Sequence, residues 1–266
     1  MIKTISLIAA AVLAAAAAAP ALAGGSGLET MVTADDSRGF EGVGRINVGG
    51  RSFCTGALVA DNLVLTAGHC LYDHDAGTLA RPDEVEFLAG WRGGRAAAYR
   101  GARRFIVHPG YVANGADRSV DLALIELDRP IRNTTVLPFE VGARSFLARD
   151  VGVVSYAHDR AEMPSMQNIC HVLGKTKGTL VLDCDVDFGS SGAPVFDFSD
   201  GPPRIVSVVS AKGMIGDLEV SLGTSLVEPL GEMRTLLEDE AVGIFGQNDL
   251  APAGMATASG AKFVRP

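Results

Sequence analysis

Positive charge is scarce in this chain of 266 residues. Lys and Arg number 23 against 31 Asp and Glu, for a formal net charge of −8. Capture of a nucleic-acid backbone relies on clustered Lys and Arg, so the balance argues against a nucleic-acid partner. Cysteine is scarcer still. Cys54, Cys70, Cys170 and Cys184 are the full set, and no two form a CxxC unit, which argues against a zinc ribbon. Neither an HExxH pattern nor an EF-hand loop is present. The acidic and histidine groups that lie close in sequence (Asp73, His74 and Asp75 near His69; Asp183, Asp185 and Asp187) therefore carry no metal motif, and no metal is expected. The repeated amphipathic helices that a βαβ protein needs are missing as well. Beyond residue 23 no apolar run reaches spanning length, so no stable membrane association is expected once that first segment is removed.

What is present begins with an export signal. Lys3 supplies a positive start, residues 5–19 are almost unbroken apolar sequence, and Ala21-Leu22-Ala23 places small residues where a cleavage site needs them. The alanine-rich composition, Pro20 and the cleavable end favour this reading of 1–23 over a membrane anchor. Residues 24–41 are glycine-rich and polar, without period-two patterning, and read as a flexible leader or pro-segment. An even, small number of cysteines in an exported chain points to two disulfides. Four cysteines permit three pairings, and spacing alone offers Cys54–Cys70 and Cys170–Cys184 as two short closed loops. Secreted and periplasmic locations fit equally, and the oligomeric state is not legible.

From Gly42 onward the pattern is one of short β-rich pieces punctuated by Gly, Pro, Asn and Asp. Candidate strands fall at 45–48, 52–59, 63–66, 85–89, 99–107 and 122–127, then at 151–157, 169–173, 180–183, 193–198, 205–211 and 224–227. Residues 130–138 look like a crossing segment between two halves. The set is the signature of an all-β barrel or sandwich. One helix is expected, at 229–240, with Leu230, Met233, Leu236 and Leu237 on its apolar side. Residues 241–266 turn to Gly, Ala, Pro and Ser and read as a loose tail.

Three local patterns can carry chemistry. Leu65-Thr66-Ala67-Gly68-His69-Cys70 ends a β run on a histidine, whose ordinary pKa near 6.5 suits proton transfer. Val120-Asp121-Leu122-Ala123-Leu124-Ile125 puts a carboxylate at the entrance of an apolar strand, where it is costly unless paired. Orienting the imidazole of a general base would satisfy it. Gly189-Ser190-Ser191-Gly192-Ala193-Pro194 can form a tight turn that presents a serine and bares backbone N–H groups. The amides of Gly189 and Ser191 are the candidates for holding an oxyanion. Locally, Ser190 and Ser191 are rival nucleophiles, and the same turn could be a mere linker. His74, His108, His158 and His171 carry no comparable context.

Taken together, these patterns closely resemble the trypsin/chymotrypsin superfamily of serine peptidases over roughly residues 42–240. Cys54-Thr55-Gly56-Ala57-Leu58-Val59 followed by Leu65-Thr66-Ala67-Gly68-His69-Cys70 resembles its histidine box, with Gly68 where alanine is usual. The other two patterns resemble its aspartate and serine boxes, and the chain order His, Asp, Ser agrees. The resemblance implies a catalytic triad of His69, Asp121 and Ser191. It also implies a Cys54–Cys70 disulfide, with Cys170–Cys184 similar to a second bridge. The implied architecture is two six-stranded antiparallel β-barrels, over 42–134 and 135–228, closed by the C-terminal helix. The implied reaction is cofactor-free hydrolysis of a protein or peptide substrate. In the animal enzymes an aspartate precedes the nucleophile and pairs with a newly freed N-terminus; here Ser190 stands there and cannot. Arg45-Ile46-Asn47-Val48-Gly49-Gly50 only imitates the activation site and lies too close to Cys54. The serine box instead resembles the bacterial branch related to glutamyl endopeptidases. The implied substrate pocket involves Asp185, Phe188, Ser210 and Lys212. Asp185 at its base would favour Lys or Arg, whereas Lys212 would favour an acidic side chain. Other readings of the chain are an inactive protease-like binding protein, an adhesion module, and an esterase on the same scaffold.

Overall fold

The computed structural model describes residues 27–73, 75–114, 117–143 and 150–239. The signal at 1–23, the chain start near Gly24, His74 and the tail at 241–266 lie outside the described residues. In chain order, β1 (Glu29–Thr30) is followed by β2 (Val43–Val48), β3 (Ser52–Ala60) and β4 (Leu63–Thr66). Next come β5 (Tyr72–Asp73), β6 (Thr78–Leu79), β7 (Val85–Ala89), β8 (Ala98–Val107), a short helix α1 (Pro109–Ala113) and β9 (Ala123–Leu127). The second half holds β10 (Glu140–Val141), β11 (Asp150–Ser155), β12 (Ser165–Thr176), β13 (Thr179–Leu182), β14 (Pro194–Asp197), β15 (Arg204–Ile215), β16 (Leu218–Ser225) and helix α2 (Val227–Glu238).

The order β2-β3-β4-β9-β8-β7 closes on itself as an antiparallel barrel. A second ring runs β12-β11-β14-β15-β16-β13 and closes through β12 pairing with β13. The two six-stranded barrels give the chain a chymotrypsin-like fold. Period-two alternation sorts the side chains between three cores. Along β9, Ala123, Ile125 and Leu127 fill the first barrel. Leu122 and Leu124 face away from it, into a shared cluster with Tyr156, Phe196 and Val208 at the seam. Val151, Val153, Leu180, Leu182, Val195 and Val206 fill the second barrel. The seam is thus a packed apolar joint, and loops from both barrels converge on it.

Several elements differ from the sequence expectation. Helix α2 begins two residues earlier, because Pro229 fits the first turn, where backbone N–H groups need no intrahelical partner. Its Leu230, Met233 and Leu237 are buried against the seam. Strands β15 and β16 form an arm that continues past the barrel, paired from Ala211↔Leu222 to Ile215↔Leu218. Gly213 and the exposed residues beyond it broke the apolar pattern but not the ladder. The segment 27–41 is docked and is not a loose leader. Glu29 and Thr30 pair with Met166 and Ser165 of β12, and buried Met31 donates its N–H to Pro164 O at 2.9 Å. Phe40 packs edge-on against Phe196 with ring centroids 5.5 Å apart. Isolated anchors of this kind leave no periodic trace in a sequence. Helix α1 and the β5–β6 hairpin were likewise too short to show one.

Candidate active site

Strand β4 runs into buried Ala67 and a single 3-10 turn, Gly68–Cys70. Cys70 is tied to Cys54 of β3 by a disulfide across a sequence separation of 16, which anchors that turn to the barrel wall. His69 therefore projects from a constrained backbone. Its N–H donates to Asp121 Oδ1 at 2.9 Å, and its Nδ1 lies 2.8 Å from Asp121 Oδ2. Asp121 directly precedes the apolar run into β9 and is 2% exposed. Burial pushes its carboxyl upward most strongly, but the His69 hydrogen bond and charge and a bond from Ser210 outweigh it, and the net shift is downward. An ionised carboxylate only accepts, so Nδ1 carries the ring proton and Nε2 is left as the basic nitrogen.

The third pattern forms a tight turn at the seam. Gly189 and Gly192 adopt φ of +98° and +80°. A Cβ at Gly192 would fall 2.1 Å from Thr66 Oγ1 and 2.2 Å from Thr55 O, so both the conformation and the packing require glycine. Ser190 N–H donates to Asp187 O, Gly192 N–H to Val209 O and Ala193 N–H to Ser190 O. Among the described residues, the N–H groups of Gly189 and Ser191 have no protein acceptor. The carbonyl of Phe188 accepts from His158 N–H at 2.7 Å, which turns the Gly189 N–H of the same planar unit the opposite way. Ser190 is fully buried, with its hydroxyl 3.2 Å from Ser155 Oγ and 3.3 Å from Tyr156 O. Ser191 instead lines a cleft of about 610 Å³ together with His69.

The remaining sequence candidates separate. The second disulfide, Cys170–Cys184, is present in the second barrel. Lys212 lines the cleft and reaches Glu219 on the facing strand at 3.3 Å. Phe188 stands at the mouth, 84% exposed. Ser210 lines the cleft, yet its hydroxyl turns inward to Asp121 Oδ2 at 2.5 Å. Asp185 is not at the base of the cleft. Chain alternation turns Val186 inward and leaves Asp185 on the surface, its N–H bonded to Gln167 Oε1 at 2.7 Å. Sequence reasoning missed Arg51 and His158 as cleft residues. It also missed a second carboxylate–imidazole pair, in which His171 Nδ1 lies 2.7 Å from Asp183 Oδ2. Among the described residues, one group of metal-type ligands converges, Cys54, His69 and Cys70, but its two sulfurs are joined in a disulfide and cannot act as thiolates.

The chain is similar in sequence and in fold to known proteins. The glutamyl endopeptidase of Bacillus licheniformis is 25% identical over 197 residues, covering 71% of this chain. The chain spans 60% of that relative's own length. A solved structure of a Glu endopeptidase in complex with MPD superposes with a TM-score of 0.68 at 22% identity, covering 80% of this chain and 97% of its own. A thermostable serine protease, AL20, from an extremophilic microorganism superposes with a TM-score of 0.59 at 21% identity, covering 74% and 96%. The family model described as Trypsin matches residues 33–214, well over half of the sequence, and the chain belongs to that family.

Proposed function

We propose that this protein is an exported serine endopeptidase that cleaves peptide bonds through an acyl-enzyme on Ser191. The observation that carries the reading is the His69 ring, held by Asp121, in one cleft with Ser191 and the unpaired N–H groups of Gly189 and Ser191. His69 Nε2 takes the Ser191 proton as Oγ bonds to the scissile carbonyl carbon. Asp121 stabilises the imidazolium that results. The negative charge on the carbonyl oxygen falls to the two N–H groups, which are fixed before reaction and so need no reorganisation. The imidazolium then gives its proton to the leaving amine as the C–N bond breaks. Water repeats the sequence on the ester, and no cofactor enters.

For the acyl-side residue we favour an acidic side chain. Arg51, His158 and Lys212 line the cleft, Asp187 is the one acidic lining residue among the described residues, and Asp185 lies outside. The names of the glutamyl endopeptidase relatives support the same choice. Export is favoured by the two disulfides, which persist in oxidising compartments, together with the signal reading of 1–23. No described helix is long and apolar enough to cross a membrane.

The test is intact mass after treatment with a fluorophosphonate probe, followed by cleavage of matched peptides carrying Glu, Gln, Lys or Phe before the scissile bond. One adduct on the wild type and none on Ser191→Ala is expected, with Glu the preferred residue. An unreactive, correctly disulfide-bonded wild type would overturn the enzymatic reading. Sequencing the N-terminus of the exported protein tests the cleavage near Gly24.

A further inference from the structure

The N–H groups of Gly189 and Ser191 can receive an oxyanion only if the turn that carries them is held still, and Ser190 offers no ion pair to hold it. The contacts of Thr55 supply the restraint. Thr55 lies on β3 in the first barrel, beside the disulfide residue Cys54, and is fully buried. Its backbone N–H donates to Ser191 O at 2.8 Å. Its hydroxyl donates to Gly189 O at 2.9 Å and accepts the N–H of Tyr156 at 3.0 Å. A hydroxyl has one proton and two lone pairs, so it can make both bonds at once. The Thr55 carbonyl in turn accepts from Thr66 Oγ1 at 2.8 Å, the same pair of atoms that closes round Gly192.

The two peptide units that flank the Gly189 Cα are each held by one bond. Tyr156 begins the short segment whose His158 N–H holds Phe188 O, on one side of Gly189. Gly189 O, on the other side, is held by Thr55 itself. The buried hydroxyl of Ser190 adds neutral bonds to Ser155 Oγ and Tyr156 O.

We infer that Thr55 is a positioning residue for the oxyanion site, its hydroxyl locking the turn from Phe188 to Ser191 through uncharged bonds where an ion pair would otherwise act. This rests on the serine endopeptidase reading above. Without the hydroxyl, buried Tyr156 N–H is left unpaired and Gly189 O, at the edge of the cleft, loses the bond that holds it, so the turn gains freedom to rotate the Gly189 N–H away. Small misplacements of this kind are costly to the transition state and almost silent to bound substrate.

The experiment compares Thr55→Val, which keeps the shape, with Thr55→Ser, which keeps the hydroxyl. Rates are expressed per site titrated with the fluorophosphonate. Thr55→Val is expected to lower kcat by about 10- to 100-fold with KM little changed. Its affinity for a peptide aldehyde, which forms a tetrahedral adduct, should fall in parallel, while affinity for a product peptide holds. Thr55→Ser should return kcat to within about threefold of wild type. A purely structural residue would lower the melting temperature or the titratable fraction without splitting kcat from KM. If Thr55→Val does not fold, Thr55→Ala against Thr55→Ser makes the same comparison. Wild-type kcat per site in the hydroxyl-free variant overturns the inference and leaves the enzymatic reading intact. An inert wild type overturns both.

Discussion

Ser210 donates its hydroxyl proton to Asp121 Oδ2, the oxygen that also faces the His69 ring. With the His69 backbone N–H on Oδ1, the buried carboxylate receives three donors. They offset a burial that alone would push its pKa up. A carboxyl whose pKa is lowered on folding stabilises the protein above its unfolded pKa, and that contribution is lost as pH falls through the folded value. Ser210→Ala should raise the folded value and cost about 2 kcal/mol at neutral pH. Urea unfolding at about pH 7 and about pH 3 checks this: the gap between wild type and variant should narrow in acid. A pH-independent gap would place the hydroxyl's contribution elsewhere.

The proposed triad makes a prediction about non-additivity. Ser191→Ala and His69→Ala should each lower kcat by about 10⁶-fold, and the double variant by little more, because neither group works without the other. Asp121→Asn should cost about 10⁴-fold through the wrong imidazole tautomer. Single-turnover rates on one peptide test all four proteins, and additive losses would contradict a shared mechanism.

Lys212 can attract an acidic substrate only to the extent that Glu219 leaves its charge free. The two side chains are 44% and 67% exposed, so their pairing is weak and screened. Glu219→Gln should therefore raise discrimination of Glu over Gln before the scissile bond by about two- to fivefold. Lys212→Met should lower it, and raising the salt concentration should compress both differences. Unchanged ratios in both variants would move the recognition to His158 or Arg51.

What could be read from the sequence was local. His69, Asp121 and Ser191 each sit where a run of β-branched or aliphatic residues meets a polar or glycine turn, so each pattern was legible within about six residues. The strands at 63–66 and 85–89 had their observed bounds for the same reason. Bonds between distant segments left no such mark. Thr55 meets Gly189 across 134 residues, and Ser210 meets Asp121 across 89. A threonine after a cysteine and a serine inside an apolar strand look ordinary until the barrels are closed. Asp185 was attractive because it lies near the serine box, but alternation about Val186 decides which side chain enters the cleft.

The second imidazole–carboxylate pair makes a prediction of opposite sign to that of Asp121. His171 donates its backbone N–H to Asp183 Oδ1 and sets its ring nitrogen against Oδ2, the same two contacts that His69 makes with Asp121. Each pair adjoins a disulfide: His171 follows Cys170 and Asp183 precedes Cys184. The bond to Asp183 raises the pKa of His171, with Asp150 3.8 Å from its other nitrogen adding to the effect. A histidine whose pKa is raised on folding contributes its full stabilisation below about pH 6.5 and loses it as pH rises through the folded value. His171→Gln should thus lower the melting temperature more at about pH 5.5 than at about pH 9. Disulfide content, measured by thiol titration, should be unchanged in the variant, which separates loss of the ion pair from loss of the bridge. Equal destabilisation at both pH values would mean that the ring acts through packing and its neutral hydrogen bond alone.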